Sequence, residues 1–275
     1  MFNAKVLADS TNTCDNRITT MELTFPRCVL AEFNTHRMFS RNAASSRAIP
    51  IRKMVDQVMA NPFIPLHWGA AEKGMQAYKE LGSHASSECR HTWLIARDNC
   101  VGAVEGLMRQ GLHKQIANRL LEPWMWITVI ATGNEGAWNN FFALRCHHEA
   151  EPHIQKIAEM AREVRSQSTP QKLSDGQWHL PLIGFEGDEL LSVEDQVKVS
   201  VGRCARVSYL THDGILDVQA DIDLHDRLLA SKHFSPFEHV AQHSYSWIPD
   251  NESGNLGAGW TQYRKTLKGE YQNNG

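Results

Sequence analysis

With 275 residues, 42% hydrophobic and 21% charged, the chain has the composition of a globular protein, which excludes a disordered segment or a disulfide-stapled miniprotein. A formal net charge of −3 argues against a protein that coats nucleic acid, although local basic clusters can still hold phosphates. Six scattered cysteines without a CxxC pair, no signal-peptide pattern at the start and no long apolar run point to reduced thiols and a cytoplasmic location.

In chain order, Lys5 to Ala8 and Ile18 to Phe33 read as β-structure, and Pro26 divides or bends the second run. The polar stretch from Asn34 to Arg47, with five Ser or Asn and three Arg, predicts a binding loop. Helical spacing begins after Pro50 with Ile51, Met54, Val55 and Val58 on one face. Further helices are expected over Met75 to Leu81 (closed by Gly82), Ser86 to Gln110 (stopped by Gly111) and Lys114 to Leu121. Trp124 to Ala131 is continuously apolar, so its pattern does not separate helix from buried strand. Asn139 to Val164 reads as helical, and Pro152 starts a new helix or kinks one. Gln167 to Gly187, rich in Ser, Thr, Pro and Gly, reads as a linker. Beyond it come a helix capped by Ser192, a short stretch around Val207, a helix from Asp221 to Lys232, a loop from Asp250 to Gly259, and a last short helix over Trp260 to Leu267.

The stretch Thr35 to Arg47 offers guanidinium forks, an imidazole, hydroxyls and an amide within 13 residues. That inventory suits phosphates and pyrimidine edges, and composition alone leaves a solvated polar loop equally open. Cys146, His147, His148 and His153, or His84, Cys89 and His91, could ligate zinc, but neither set has an established spacing and no metal is expected. The eight tryptophans read as core.

Three blocks carry a resemblance. His36, Arg37, Ser40, Asn42, Ser45 and Arg47 fall in register with R-H-R-x-x-S-x-N-x-x-S-x-R-Y, with Thr35 and Ala48 in place of the first Arg and the Tyr. Gly111 to Pro123 is similar to G-x-P-K-E-x-A-R-x-x-L-P, with Arg119, four residues before the proline, at the arginine. Asn134, Asn140 and Arg145 resemble N-x(5)-N-x(4)-L-R with one residue fewer between Asn140 and Leu144. Arg206-Val207-Ser208 with His233-Phe234-Ser235-Pro236-Phe237-Glu238-His239 looks like the A-A-R-V-S…H-x-H-x-S-P-F-E-H region. These are the patterns of flavin-dependent thymidylate synthases, and the third block, first in ordinary members, comes last here. The resemblance therefore implies a circularly permuted chain: the family's C-terminal half at 1–166, a linker at about 167–194, and its N-terminal half at 195–275.

The implied fold is α+β, a mostly antiparallel central sheet flanked by helices, as in thymidylate synthase complementing proteins. The implied activity is a methyltransferase one: FAD-dependent transfer of a one-carbon unit from methylenetetrahydrofolate to C5 of dUMP, giving dTMP, with NADPH as reductant and a homotetramer sharing its sites. Methylation of dCMP, hydroxymethylation, or a catalytically degenerate binding subunit are the alternatives. By resemblance, Arg145 is catalytic. Glu32, Ser45, Arg47, Arg119 and Arg145 meet the nucleotide, while His36, Arg37, Asn42, Asn134, Asn140, Ser208, His233, Ser235 and Glu238 meet FAD. Glu32 stands where the family has Gln. As a carboxylate it would favour a cytosine amine, unless it merely pairs with Arg37 or Arg41.

Overall fold

The computed structural model describes residues 1–74, 76–207, 217–245 and 251–270. Two long strands, β1 (Asn3–Thr11) and β2 (Arg17–Pro26), form an antiparallel pair at the centre of a five-stranded sheet. β4 (Trp126–Asn134) and β3 (Ser40–Ala43) extend it antiparallel on one side, and β5 (Gln171–Lys172) joins β1 parallel on the other. The strand residues Ile18, Thr19, Thr20 and Met21 are all fully buried, because this sheet is covered on both faces.

One face carries α5 (Glu135–Arg145) and α6 (Pro152–Gln167). Met21, Leu23 and Phe25 alternate along β2 and meet Trp138, Phe141, Ile154 and Ile157 in the largest apolar cluster. Toward the opposite face lie α7 (Val193–Arg206), α8 (Val218–Ala230) and a small sheet of β6 (Trp178–His179), β7 (Ala241–His243) and β8 (Trp260–Gln262). A second apolar cluster joins α2 (Ile51–Ala60), the long α3 (Ser83–Arg109) and α4 (Lys114–Ala117) with the turn that follows it. Among the described residues no helix is long and apolar enough to cross a membrane.

Two buried polar arrays tie these layers together. Arg203 of α7 makes a two-pronged contact with Asp188 at 2.6 and 2.8 Å and a third with Asp221 of α8 at 3.3 Å, and Arg206 also pairs with Asp221. The helices approach so closely there that a Cβ on Gly202 would collide with the Asp221 carbonyl. Between the sheets, Ser10, His179, Thr20, Thr132 and His239 form a chain of hydrogen bonds of 2.7–2.8 Å. Burial lowers the pKa of His179 to about 4 and that of His239 to about 3.

Several expected elements are redrawn. The run Ile18 to Phe33 stops being a strand at Pro26. A 3-10 turn (Arg27–Val29) and the short α1 (Leu30–Phe33) follow, so Glu32 sits on a helix. Residues 76–81 are not helical. Glu72 Oε2 accepts the Tyr78 and Lys79 amides, and Gly69 bridges to Glu80, which makes a hairpin-like flap (Met75 lies outside the described residues). The helix from Lys114 gives way at Asn118 to a 3-10 turn (Asn118–Trp124) that contains Pro123, and the Asn118 side-chain amide donates outward to Ser46 O and Ile49 O. Trp126–Asn134 is a strand, and α5 and α6 are separate helices. The Gln167 to Gly187 stretch supplies β5 and β6. Trp260 to Leu267 is a strand followed by a 3-10 turn, because Trp260 to Gln262 pair with β7.

Candidate functional site

The polar loop of the first motif begins as β3, held against β4 with Ser40 opposite Thr132 and Ala43 opposite Val129. Beyond β3 it turns away from the sheet and is pinned from behind. Asn118 Nδ2 donates to Ser46 O at 2.7 Å, Lys114 Nζ to Ala48 O at 2.8 Å, and Asn42 Nδ2 to Cys204 O at 2.7 Å. Ser235 Oγ donates to Arg41 O at 3.0 Å and brings the loop after α8 alongside. The result is an open cavity of about 500 Å³ onto which Arg41, Arg47, His113 and His233 face together with Ser45 and Ser235. Among the described residues that line it there is no Asp or Glu. Burial, helped by Arg37 and opposed by Glu238, draws Arg41 below its ordinary pKa. Such a site favours an anion with several acceptor oxygens.

A second cavity, about 530 Å³, lies between the flap and the turn joining α5 to α6, lined by Glu32, His67, Tyr78, Arg145, Glu151 and His153, among others. Arg145 is the last residue of α5. Its Nε donates to His36 Nε2 at 2.9 Å, Nη1 to Glu32 Oε2 at 3.4 Å, and Nη2 to Thr35 Oγ at 3.3 Å. A guanidinium only donates, so His36 Nε2 accepts and the imidazole is neutral with its proton on Nδ1. Burial, then Arg145 and Arg41, lowers its pKa to about 4. Burial and the nearby Glu151 raise the Glu32 pKa, against the pull of Arg145 and His153. Glu151 caps α6 by accepting from His153 N and Ile154 N, and also pairs with the His153 ring. His153 Nε2 in turn accepts from Leu66 N at 2.9 Å, fastening the flap. Three of the five N–H groups of Arg145 are engaged among the described residues, leaving one on each terminal nitrogen for a ligand.

Of the residues singled out from the sequence, Asn42, Ser45, Arg47, His233 and Ser235 converge on the first cavity. Glu32 and Arg145 converge on the second, with His36 behind them. Glu32 pairs with Arg145, not with Arg37 or Arg41. Arg119 does not join Arg47: it faces a third cavity of about 570 Å³ beside Arg27, and both contact Glu122 Oε1, at 3.4 and 3.1 Å. Arg37 and Asn140 are exposed, and Asn134 caps α5 by accepting from Ala137 N at 2.9 Å. Glu238 is paired with Arg264, and Ser208 lies outside the described residues. Arg41 and His113 were missed. Arg41 occupies a variable position of the first motif, and His113 precedes the Lys of the second, so only their proximity in the fold marks them. Among the described residues no three His, Cys, Asp or Glu side chains assemble as metal ligands, so neither His/Cys set forms a cluster.

Comparison with known proteins adds the following. The pattern of the family described as thymidylate synthase complementing protein matches residues 11–171, and the third block lies beyond that match. A flavin-dependent thymidylate synthase from Mycolicibacterium vanbaalenii is 26% identical over 151 residues, covering 52% of this chain and 55% of its own length. The chain thus spans about half the length of the curated relative it matches. Among solved structures, the UMP/dUMP methylase PolB from Streptomyces cacaoi, bound with 5-Br UMP, shares the fold with a TM-score of 0.52 and 15% identity. That likeness covers 61% of this chain and 89% of that one.

Proposed function

The chain belongs to the thymidylate synthase complementing protein family, and from that premise we propose that it is an FAD-dependent methyltransferase acting at C5 of a uracil nucleotide, dUMP first. The observation that carries this reading is a pair of cavities of different character. One holds two arginines and two histidines with no lining carboxylate described; the other presents the free N–H groups of Arg145. The donors of the first cavity fit a flavin dinucleotide and a nucleotide phosphate. Asn42, His233 and Ser235 would hold the dinucleotide, and Ser45, Arg47 and Arg41 the phosphate. When bound, the flavin would supply hydride chemistry, with methylenetetrahydrofolate as carbon donor and NADPH as reductant.

The chain's own contribution is orientation and charge. Arg145, fixed by three acceptors, would place two donors where negative charge develops on the pyrimidine ring. Its neighbour His36 stays neutral and adds no competing cation. We further propose a homotetramer that shares its sites between subunits. Support comes from the division of the candidate residues among three cavities and from α3, a 27-residue helix in which Val104 alone is fully buried. A permuted chain order is supported by the order of the three blocks along the sequence, and the bond from Ser235 Oγ to Arg41 O brings the last block beside the first in the fold.

The test is the absorbance spectrum of the purified protein with added FAD, followed by release of tritium from C5-labelled dUMP in the presence of methylenetetrahydrofolate and NADPH. A flavin spectrum with tritium release is expected. A protein that gains no flavin spectrum and releases no tritium would overturn the reading.

A further inference from the structure

We infer that Gln262, near the far end of the chain, is the positioning residue that sets the separation of the two walls of the cationic cavity. The inference leans on the functional reading only for its consequence in ligand affinity.

Two facing walls of that cavity are β3 and the loop of His233 with the start of the 3-10 turn Ser235–His239, while His113 and Gln115 close a third side. Behind both lies the segment 251–264, to which neither the motifs nor the proposed chemistry assigns a role. Gln262 ends β8 and is 2% exposed. Its Nε2 lies 3.0 Å from Asn255 Oδ1, 3.1 Å from Glu238 O and 3.2 Å from Ser40 Oγ. Ser40 immediately precedes Arg41 on the first wall, and Glu238 belongs to the turn of the second. One amide nitrogen therefore touches both walls. It has two protons for three acceptors, so the Ser40 hydroxyl completes the set by donating to Asn255 Oδ1 at 3.0 Å.

The surroundings leave this amide little freedom. Its backbone is held by pairing with Ala241 and by donation of its N–H to Glu252 O at 2.8 Å. Gly254, at φ +55°, closes over the side chain where a Cβ would collide with Gln262 Oε1. Asn255 Nδ2 donates to Met38 O at 2.7 Å, extending the contact along the first motif. Arg264, two residues on, pairs with the Glu238 carboxylate and lies over the Phe234 ring, 5.9 Å from its centroid. The segment thus holds the second wall by backbone, carboxylate and ring together. Its two near-isosteres both lose the contact. Leucine has no donor, and glutamate would turn an acceptor oxygen toward the Glu238 carbonyl.

The test compares the full-length protein with Gln262→Leu, Gln262→Glu and a control, Leu256→Ala. Leu256 is fully buried in the same segment, so the control loosens packing without removing a polar contact. Hydrogen exchange is read without ligand, each protein at the same interval below its melting temperature. In Gln262→Leu the amides of 38–43 and 234–239 should both exchange about tenfold faster than in wild type, while Leu256→Ala stays within about threefold. FAD titrated by fluorescence should bind about tenfold more weakly to both Gln262 variants than to wild type and Leu256→Ala. Wild-type exchange at both walls in Gln262→Leu, or equal loosening by Leu256→Ala, overturns the inference. Should Gln262→Leu fail to fold, Gln262→Glu is read by the same exchange criterion. If wild type binds no FAD while exchange changes as described, the functional reading fails and the positioning role stands.

Discussion

Arg145 is the residue on which the proposed chemistry turns, and its setting specifies what its loss should do. Its side chain is 21% exposed and bonded to polar partners at the cavity edge, not to the core. Arg145→Ala is therefore expected to lower turnover about 10²–10³-fold, the usual loss for one electrostatic donor, with little change in melting temperature. Single-turnover rates and thermal melts on the same preparation check both halves. Glu32 gives a second prediction. One of its oxygens faces Arg145, while the carboxylate lines the cavity beside it. A carboxylate only accepts and an amide also donates, so Glu32→Gln should raise the preference for dUMP over dCMP in a competition assay. Equal preference in both proteins would show that Glu32 does not read the base. The Glu32–Arg145 pair was not legible in the sequence, because its members are 113 residues apart and no local pattern joins them. The convergence of Asn42, Ser45 and Arg47 was legible, because one short stretch carries all three.

At the level of elements, helices announced by their ends were readable and short strands were not. Ser192 before α7, Pro152 at the start of α6 and the halt of α3 near Gly111 all follow local backbone chemistry. Ser192 Oγ accepts from Asp195 N at 3.1 Å, so Ser192→Ala should cost about 1 kcal/mol of stability in urea unfolding. The three-residue β8 and the two-residue β5 and β6 have no period long enough to detect, since their conformation is set by partners far along the chain. The flap was missed for a related reason: the Glu72 carboxylate and a few cross-flap backbone bonds, such as Ala70 N to Lys79 O at 2.7 Å, set its conformation without a sequence period. The array of Arg203, Asp188 and Asp221 has a larger expected effect. Asp188 and Arg203 are each 2% exposed, and Asp188→Ala leaves a buried guanidinium short of its main partner. A loss of about 3–5 kcal/mol is expected, measured by the same urea titration.

For the whole molecule, the proposed tetramer predicts a light-scattering mass four times the 31.1 kDa chain; a fully active monomer would remove that part of the proposal. Acid sensitivity follows from the buried histidines. In the folded protein His179 and His239 titrate at about 4 and about 3, well below an unfolded histidine near 6.5. Between those values the unfolded chain binds protons that the folded one refuses. Their contribution to stability is therefore complete above about pH 6.5 and lost as the pH falls toward 4. Urea midpoints measured from pH 7 to 5 should decline, and His239→Gln should flatten the decline; an unchanged slope would exclude His239 as a source. The same two rings lie in the chain that runs from Ser10 to His239, and its end fixes a direction. Among the described residues His239 Nε2 has no partner, and a buried N–H without an acceptor costs more than a bare lone pair. The proton of His239 therefore sits on Nδ1 and is donated to Thr132. Thr132 must then donate to Thr20, Thr20 to His179 Nε2, and His179 Nδ1 to Ser10. Both imidazoles are the same tautomer, and neither can invert alone. In nitrogen-15 spectra the two rings should report one shared polarity, and Thr20→Val, by severing the relay, should let each ring choose its tautomer independently.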